Sequence, residues 1–237
     1  MRVPWPNADE LKQKLAEVRD IEGQRKDHCA ELYRRPGHER RMQILRSLLA
    51  KLVPQYDFID VGCAEGLYCG LANEFGAHRV LGIDISPTKI QRALERYPTC
   101  EFVCRDMFDL HDLTGQFDVA LCCEVLQHVL DYQLAAQTVI SCLRPGGYAI
   151  FTTSNLSESP HHIPATVSSD MTAEQLLVEI GGAGFGKQNA VWKFNTDKLY
   201  EEIARGCGVT LLEKIPVDTP DGQRKNLWTI GVMQVNV

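Results

Sequence analysis

The chain has 237 residues, 44% of them hydrophobic and 24% charged, with a formal net charge of −6. These proportions are those of a soluble globular protein with one large core, and the acidic balance argues against a general nucleic-acid binder. No run reaches the ~18 apolar residues of a membrane span, and the start, Met1-Arg2-Val3-Pro4-Trp5-Pro6-Asn7, lacks the apolar core of a signal peptide.

The nine cysteines form no Cys-x-x-Cys pair, and Cys104, Cys122 and Cys123 lie in apolar runs. Buried free thiols in a reducing compartment, with no metal, are expected, and with them a cytoplasmic location. Charge is uneven along the chain: residues 1–50 hold 11 Lys+Arg against 8 Asp+Glu. Arg34, Arg35, Arg40, Arg41 and Arg46 form either a solvated helix face or a surface for an anion.

In chain order, residues 8–32 read as a helix with Leu11, Leu15, Val18 and Ile21 on one stripe. Pro36-Gly37 breaks it, and a second helix, 38–52, turns Met42, Leu45, Leu48, Leu49 and Leu52 inward. Alternation then begins: strand 58–61, helix 67–76, strand 79–84, helix 87–96, strand 101–104, a loop over 106–112, strand 117–123 and helix 132–143. A turn at Arg144-Pro145-Gly146-Gly147 leads to strand 148–153. Near-continuous apolar strands between helices imply a parallel sheet covered on both faces, with its ligand at the carboxyl ends of the strands.

Residues 156–195 interrupt this rhythm with a loop through Pro160-His161-His162, a short helix at 172–180 and the glycine-rich stretch 181–186, as a lid or specificity loop would. Helix 196–207 follows, with Thr196 as its N-cap, and strands 209–217 and 227–235 flank a turn at Asp218–Gly222. The expected architecture is α/β: a Rossmann-like, doubly wound, mostly parallel seven-stranded sheet with an antiparallel last strand, an N-terminal helical arm and a lid-like insertion. It divides a single domain into an arm (1–53), a core (54–155), a lid (156–195) and a C-terminal helix with a strand hairpin (196–237).

The organising stretch is Phe58-Ile59-Asp60-Val61-Gly62-Cys63-Ala64-Glu65-Gly66. An apolar strand stops at a turn with two glycines, and a helix follows whose free N–H groups face whatever lies over the turn. Acids then mark three later strand ends. Asp84 is positioned to accept from two ribose hydroxyls, Asp106 from an exocyclic adenine amine, and Glu124 lies where the reactive part of a ligand would be.

As an ordered set, Asp60–Gly66, Gly82-Ile83-Asp84, Arg105-Asp106-Met107, Phe117–Ala120, Glu124–His128 and Leu143–Gly147 resemble the class I S-adenosylmethionine (SAM)-dependent methyltransferases. Ala64 departs from that pattern, standing where a third glycine is common, and is tolerable there if its φ stays negative. The spacing Gly62-x-x-x-Gly66 is not the G-x-G-x-x-G of a dinucleotide-binding dehydrogenase.

The resemblance implies that Asp60, Gly62, Ala64 and Gly66 lie beneath the methionine part of SAM, and that Asp84 and Ile85 hold the ribose. It implies that Asp106 and Met107 meet the adenine and that Glu124 borders the reactive end. The arm, from Leu32-Tyr33 through Pro36–Arg46, is similar to the segment ahead of the first motif in NodS-type N-methyltransferases. Tyr33 and Arg41 are then candidates to reach back over the cofactor, with Arg41 on its methionine carboxylate or, alternatively, as a surface arginine.

Methyl transfer from a sulfonium disperses charge, so alignment supplies much of the catalysis; a hydroxyl acceptor also needs a base or a metal. Glu124 and His128 are the catalytic candidates, with His128 the candidate base, although a histidine in this pattern also serves structurally. His161, His162 and Trp192 are substrate candidates, with solvated loop histidines and an anchoring tryptophan as the alternatives. Phe194, like Trp192, either lines the acceptor pocket or anchors the lid to the sheet, the anchor being the favoured reading.

The expected function is methyl transfer to an N or O atom of a small molecule, by a monomer or homodimer. Two other readings stand beside it. One is a metal-assisted RNA 2′-O-methyltransferase, which would need an acid where Gln127 stands. The other is a SAM-binding regulator or partner subunit without turnover.

Overall fold

The computed structural model describes residues 8–25, 36–155, 170–180, 194–218 and 227–237. Its helices are α1 (Ala8–Arg25), α2 (Pro36–Leu52), α3 (Leu67–Glu74), α4 (Pro87–Arg96), α5 (Tyr132–Ser141), α6 (Ala173–Ile180) and α7 (Thr196–Cys207). Its strands are β1 (Asp57–Val61), β2 (Arg79–Asp84), β3 (Glu101–Cys104), β4 (Phe117–Cys123), β5 (Leu143–Ser154), β6 (Thr210–Val217) and β7 (Trp228–Gln234).

The seven strands form one sheet in the order β3-β2-β1-β4-β5-β7-β6. β7 pairs antiparallel with both β5 and β6, and the first five strands pair in parallel. Successive residues of β1 point to opposite faces: Phe58 packs with Leu45 and Leu49 of α2 and Tyr68 of α3, whereas Ile59 and Val61 pack with Val18 of α1 and Val139 of α5. Among the described residues, helices cover both faces of the sheet, so the strand ends are where a ligand can approach it. Strand order reverses between β1 and β4, and the carboxyl ends of those two neighbours define the cleft.

Three local expectations change. The turn predicted at Arg144–Gly147 is absorbed into β5, which pairs Leu143 with Phe117 and then Tyr148 with Val119. The extra residues bulge out, Gly146 takes φ 82°, and Arg144 bonds Asp118 at 2.7 Å and Asp57 at 2.9 Å, so an ion pair holds the irregularity inside the strand.

The N-cap of α7 is Asn195, whose side chain accepts from the Asp197 N–H at 3.1 Å. Thr196 is unavailable because its hydroxyl is buried against that of Thr229, 2.7 Å away. Cys104 is exposed because β3 is an edge strand, while Cys122 is buried in β4. The predicted continuation of α1 to residue 32 lies outside the described residues. No helix among those described is long and apolar enough to cross a membrane.

Candidate cofactor site

The turn after β1 is fixed by backbone hydrogen bonds to the end of β2. The N–H groups of Gly62 and Cys63 both donate to the Ile83 carbonyl, at 2.7 and 2.9 Å. Gly62, Ala64 and Gly66 take φ of 82°, 48° and 80°, so every second residue is left-handed. Ala64 therefore does not keep the negative φ expected of it, and a Cβ in that region costs roughly 1–2 kcal/mol. Its N–H donates to Asp84 Oδ2 at 2.9 Å, which holds the strained residue in place.

The two glycines have different reasons. A Cβ on Gly62 would lie 2.3 Å from Val125 Cγ2, so the residue after Glu124 fills the notch that Gly62 leaves. A Cβ on Gly66 would meet Phe102 at 2.7 Å and Ala93 of α4 at 3.2 Å. At Gly66, then, close packing against β3 and α4 makes the demand. No side chain caps α3 at Gly66, which leaves its first N–H groups to whatever lies over the turn.

Asp60 is buried, and among the described residues its Oδ1 has no hydrogen-bond partner. Burial, reinforced by the charge of Asp84, holds its carboxyl well above the usual range. An orphaned carboxylate oxygen beside the turn fits the ammonium group of the methionine part of SAM.

Asp84 ends β2 only 7% exposed, with Oδ1 accepting from the Ser86 N–H at 3.0 Å. Ile85 beside it is half-buried. Asp106 accepts from the Phe108 N–H at 3.0 Å and so shapes the loop after β3; Met107 next to it is buried in the core.

Glu124 follows β4 with φ 59°, left-handed although not glycine. Its carboxylate accepts from Thr152 Oγ1 at 3.1 Å, Ser154 Oγ at 2.9 Å and Gln127 Nε2 at 3.1 Å. Arg41 Nη1 lies 3.3 Å from Glu124 Oε1. Arg41 is buried, not a surface residue: its Nη2 is 3.1 Å from His38 Nδ1 and its guanidinium 5.4 Å from the ring centre of Trp228.

Gln127 is buried and bound at both ends of its amide, since its Oε1 also accepts from Thr153 Oγ1 at 2.8 Å. His128 closes a 3₁₀ turn, Leu126–His128, and is half-buried there. Phe194 is fully buried with its ring edge-on to Tyr132 at 5.0 Å. Tyr33, His161, His162 and Trp192 lie outside the described residues.

The fold thus brings Asp60, Gly62, Ala64, Gly66, Asp84 and Glu124 together around the β1–β4 cleft, with Arg41 joining them from the arm. Sequence reasoning placed Val125 and Gln127 in the Glu124–His128 motif without their contacts to Gly62 and Glu124, and missed Asp20 altogether. Ser86 carried a legible signal, a serine N-cap directly before Pro87, and its side chain does cap α4 by accepting from the Lys89 N–H.

A family model described as a methyltransferase domain matches residues 31–185. Among curated proteins, the chain is 28% identical over 198 residues to a trans-aconitate 2-methyltransferase of Deinococcus radiodurans, covering 79% of this chain and 74% of that one. A ubiquinone biosynthesis O-methyltransferase of Nitrobacter winogradskyi is 32% identical over 101 residues, 41% of this chain and 38% of its own.

Among solved structures, the Burkholderia thailandensis 1,6-didemethyltoxoflavin-N1-methyltransferase, with bound 1,6-didemethyltoxoflavin and S-adenosylhomocysteine, superposes with TM-score 0.68 at 19% identity. That match covers 100% of this chain and 94% of that one. The N-methyltransferase NodS of Bradyrhizobium japonicum WM9, in complex with S-adenosylhomocysteine (SAH), gives TM-score 0.60 at 18% identity, covering 96% and 97%.

Proposed function

The chain belongs to the methyltransferase domain family and is a SAM-dependent methyltransferase; from that premise we propose that it methylates an N or O atom of a small-molecule acceptor. The observation that carries this reading is the cleft itself, a left-handed glycine turn flanked by Asp60, Asp84 and Glu124 at neighbouring strand ends. The names of similar proteins support the acceptor class: trans-aconitate and 1,6-didemethyltoxoflavin, both small molecules, stand in two of them.

SAM supplies a methyl group on a positively charged sulfur. When bound, that methyl would pass to the acceptor lone pair with the sulfur–carbon electron pair staying on sulfur, and the proton of an amine or hydroxyl acceptor would go to a base or to solvent, a carboxylate having none to lose. In this proposal Asp84 accepts from the ribose hydroxyls, with Ile85 beside it, and Asp106 accepts from the adenine amine with Met107 at the ring. Asp60 receives the ammonium group over the turn from Gly62 through Ala64 to Gly66. Arg41 faces the methionine carboxylate, with Tyr33 contributing from the arm.

Glu124, already committed to Arg41, Thr152, Ser154 and Gln127, positions the reactive end electrostatically and does not act as a base. That leaves His128 as the base where the acceptor is a hydroxyl. His161, His162 and Trp192 are proposed acceptor contacts, and the division into arm, core, lid and C-terminal unit goes with this assignment.

The metal-assisted RNA reading is not favoured. Gln127 stands where an acid would be needed, and its amide is engaged on both sides. The test is calorimetric titration with SAM followed by transfer of labelled methyl to a panel of small amines, phenols and carboxylic acids, with RNA as a comparison. Asp84→Ala should weaken SAM binding about tenfold or more, from hydrogen bonds lost to a charged acceptor. Label appearing only in RNA, or SAM bound without turnover on any acceptor, would remove the small-molecule assignment.

A further inference from the structure

Helix α1 lies ahead of residue 31, where the family match begins, and it is joined to the cofactor site by a chain of hydrogen bonds. Asp20 Oδ1 accepts from Ser86 Oγ at 2.6 Å and from the Thr88 N–H at 3.2 Å, while Gln24 Nε2 donates to its Oδ2 at 2.9 Å. Ser86 in turn donates its own N–H to Asp84 Oδ1 at 3.0 Å, and Asp84 Oδ2 accepts from the Ala64 N–H at 2.9 Å. One path therefore runs from the arm to the left-handed turn through the acid assigned to the ribose.

Two further contacts seat α1. Arg92 Nη1 donates to the Gly23 carbonyl at 2.6 Å, and Gly23 lies so close to α4 that a Cβ there would be 3.0 Å from Lys89 Cγ and 3.1 Å from Ser86 Oγ. The apolar stripe of α1, with Leu11, Leu15 and Val18, is buried in the same cluster as Ile83 and Met107, at the ends of β2 and β3. With α1 so seated, Asp84 is 7% exposed.

We propose that α1 is a latch over the nucleoside end of the cofactor site, and that Asp20 is its positioning residue, acting through Ser86 to hold Asp84 for the ribose hydroxyls. Ser86 Oγ donates to Asp20 while accepting from the Lys89 N–H, so its rotamer is set from both sides and the backbone that orients Asp84 is set with it. Release of the nucleoside requires these bonds to open, which makes the latch a control on departure of SAH. The inference rests on the assignment of SAM as cofactor.

The experiment compares wild-type protein with Asp20→Ala, Asp20→Asn and Gly23→Val, titrating each with SAH and with 5′-methylthioadenosine, which keeps the nucleoside but lacks the amino-acid end. Dissociation of SAH is followed by stopped flow and melting by calorimetry. Asp20→Ala should weaken both ligands by the same factor, about five- to twentyfold, as expected for a lost hydrogen bond to a charged group.

SAH should leave faster by a similar factor, with KM for SAM raised and KM for the acceptor unchanged. Asp20→Asn, which still accepts from Ser86, should recover most of the loss. Gly23→Val, which lifts α1 with Asp20 intact, should act like Asp20→Ala. Melting that falls while both affinities stay level would overturn the latch, as would a loss for SAH that methylthioadenosine does not share. A wild-type chain that binds neither ligand would instead fail at the cofactor assignment.

Discussion

Arg41 and Glu124 meet at 3.3 Å, one on α2 and the other at the end of β4. The guanidinium is 2% exposed. It lies against Trp228 of β7 and His38 of its own helix, while the carboxylate reaches Thr152 and Ser154 of β5. Four elements are therefore referenced to a single charge pair, and each partner is best understood through what its removal leaves behind.

Glu124→Ala leaves a desolvated guanidinium facing no anion, which should cost about 3 kcal/mol of folding free energy. Replacing both partners with apolar groups, Arg41→Met with Glu124→Leu, should cost clearly less, because no unpaired charge remains. Urea denaturation of the three variants measures this. Equal losses in the single and the double variant would mean that the pair is not coupled.

The notch at Gly62 gives a sharper packing test. Gly62→Ala combines left-handed strain with a Cβ 2.3 Å from Val125 Cγ2, so stability should fall by about 2–4 kcal/mol and SAM binding should be lost. Val125→Ala on the same background removes the clashing methyl groups and should restore part of the stability. No restoration would mean that the backbone conformation alone makes glycine necessary.

Ala64 predicts the opposite sign. Its φ of 48° is one that glycine adopts at little cost, so Ala64→Gly should leave stability unchanged or raise it by up to about 1 kcal/mol. The gain is partly offset by the greater freedom of glycine in the unfolded chain. A loss of more than about 1 kcal/mol by thermal melting would show that the methyl group is itself packed.

Asp60 sets a pH dependence. Its carboxyl is held well above the ordinary value of 3.8 by burial and by Asp84, so the folded state binds this proton more tightly than the unfolded state does. The resulting stabilisation is complete below the unfolded value and is lost as pH rises through the raised folded value. Asp60→Asn should flatten that decline, which melting temperatures across acid to mildly alkaline pH would reveal, and under the proposed placement of Asp60 at the SAM ammonium group it should also weaken SAM binding. A parallel decline in both proteins would assign the slope to other groups.

The glycine turn and its acids were legible in the sequence because strand period and turn chemistry are local, and Asp60, Asp84, Asp106 and Glu124 each end or closely follow an apolar run. The left-handed φ of Ala64 was not, since it comes from the Asp84 carboxylate, which fixes the Ala64 N–H across the turn. The Arg41–Glu124 and Asp20–Ser86 pairs escaped for a different reason. Each joins residues far apart in the chain, and nothing in the local pattern of either partner specifies the other. Thr196 as the cap of α7 failed to a competing tertiary bond, its hydroxyl being taken by Thr229.

β7 lies inside the sheet, between β5 and β6, although it is the last of the described strands in chain order. During synthesis the five parallel strands can emerge and pair while the long β5 still has an open edge. That edge must wait for residues 156–195, α7 and β6 to be made before its partner arrives. The interval is one in which another chain could add to β5 in place of β7, so output of folded protein should depend on how quickly this last stretch is delivered.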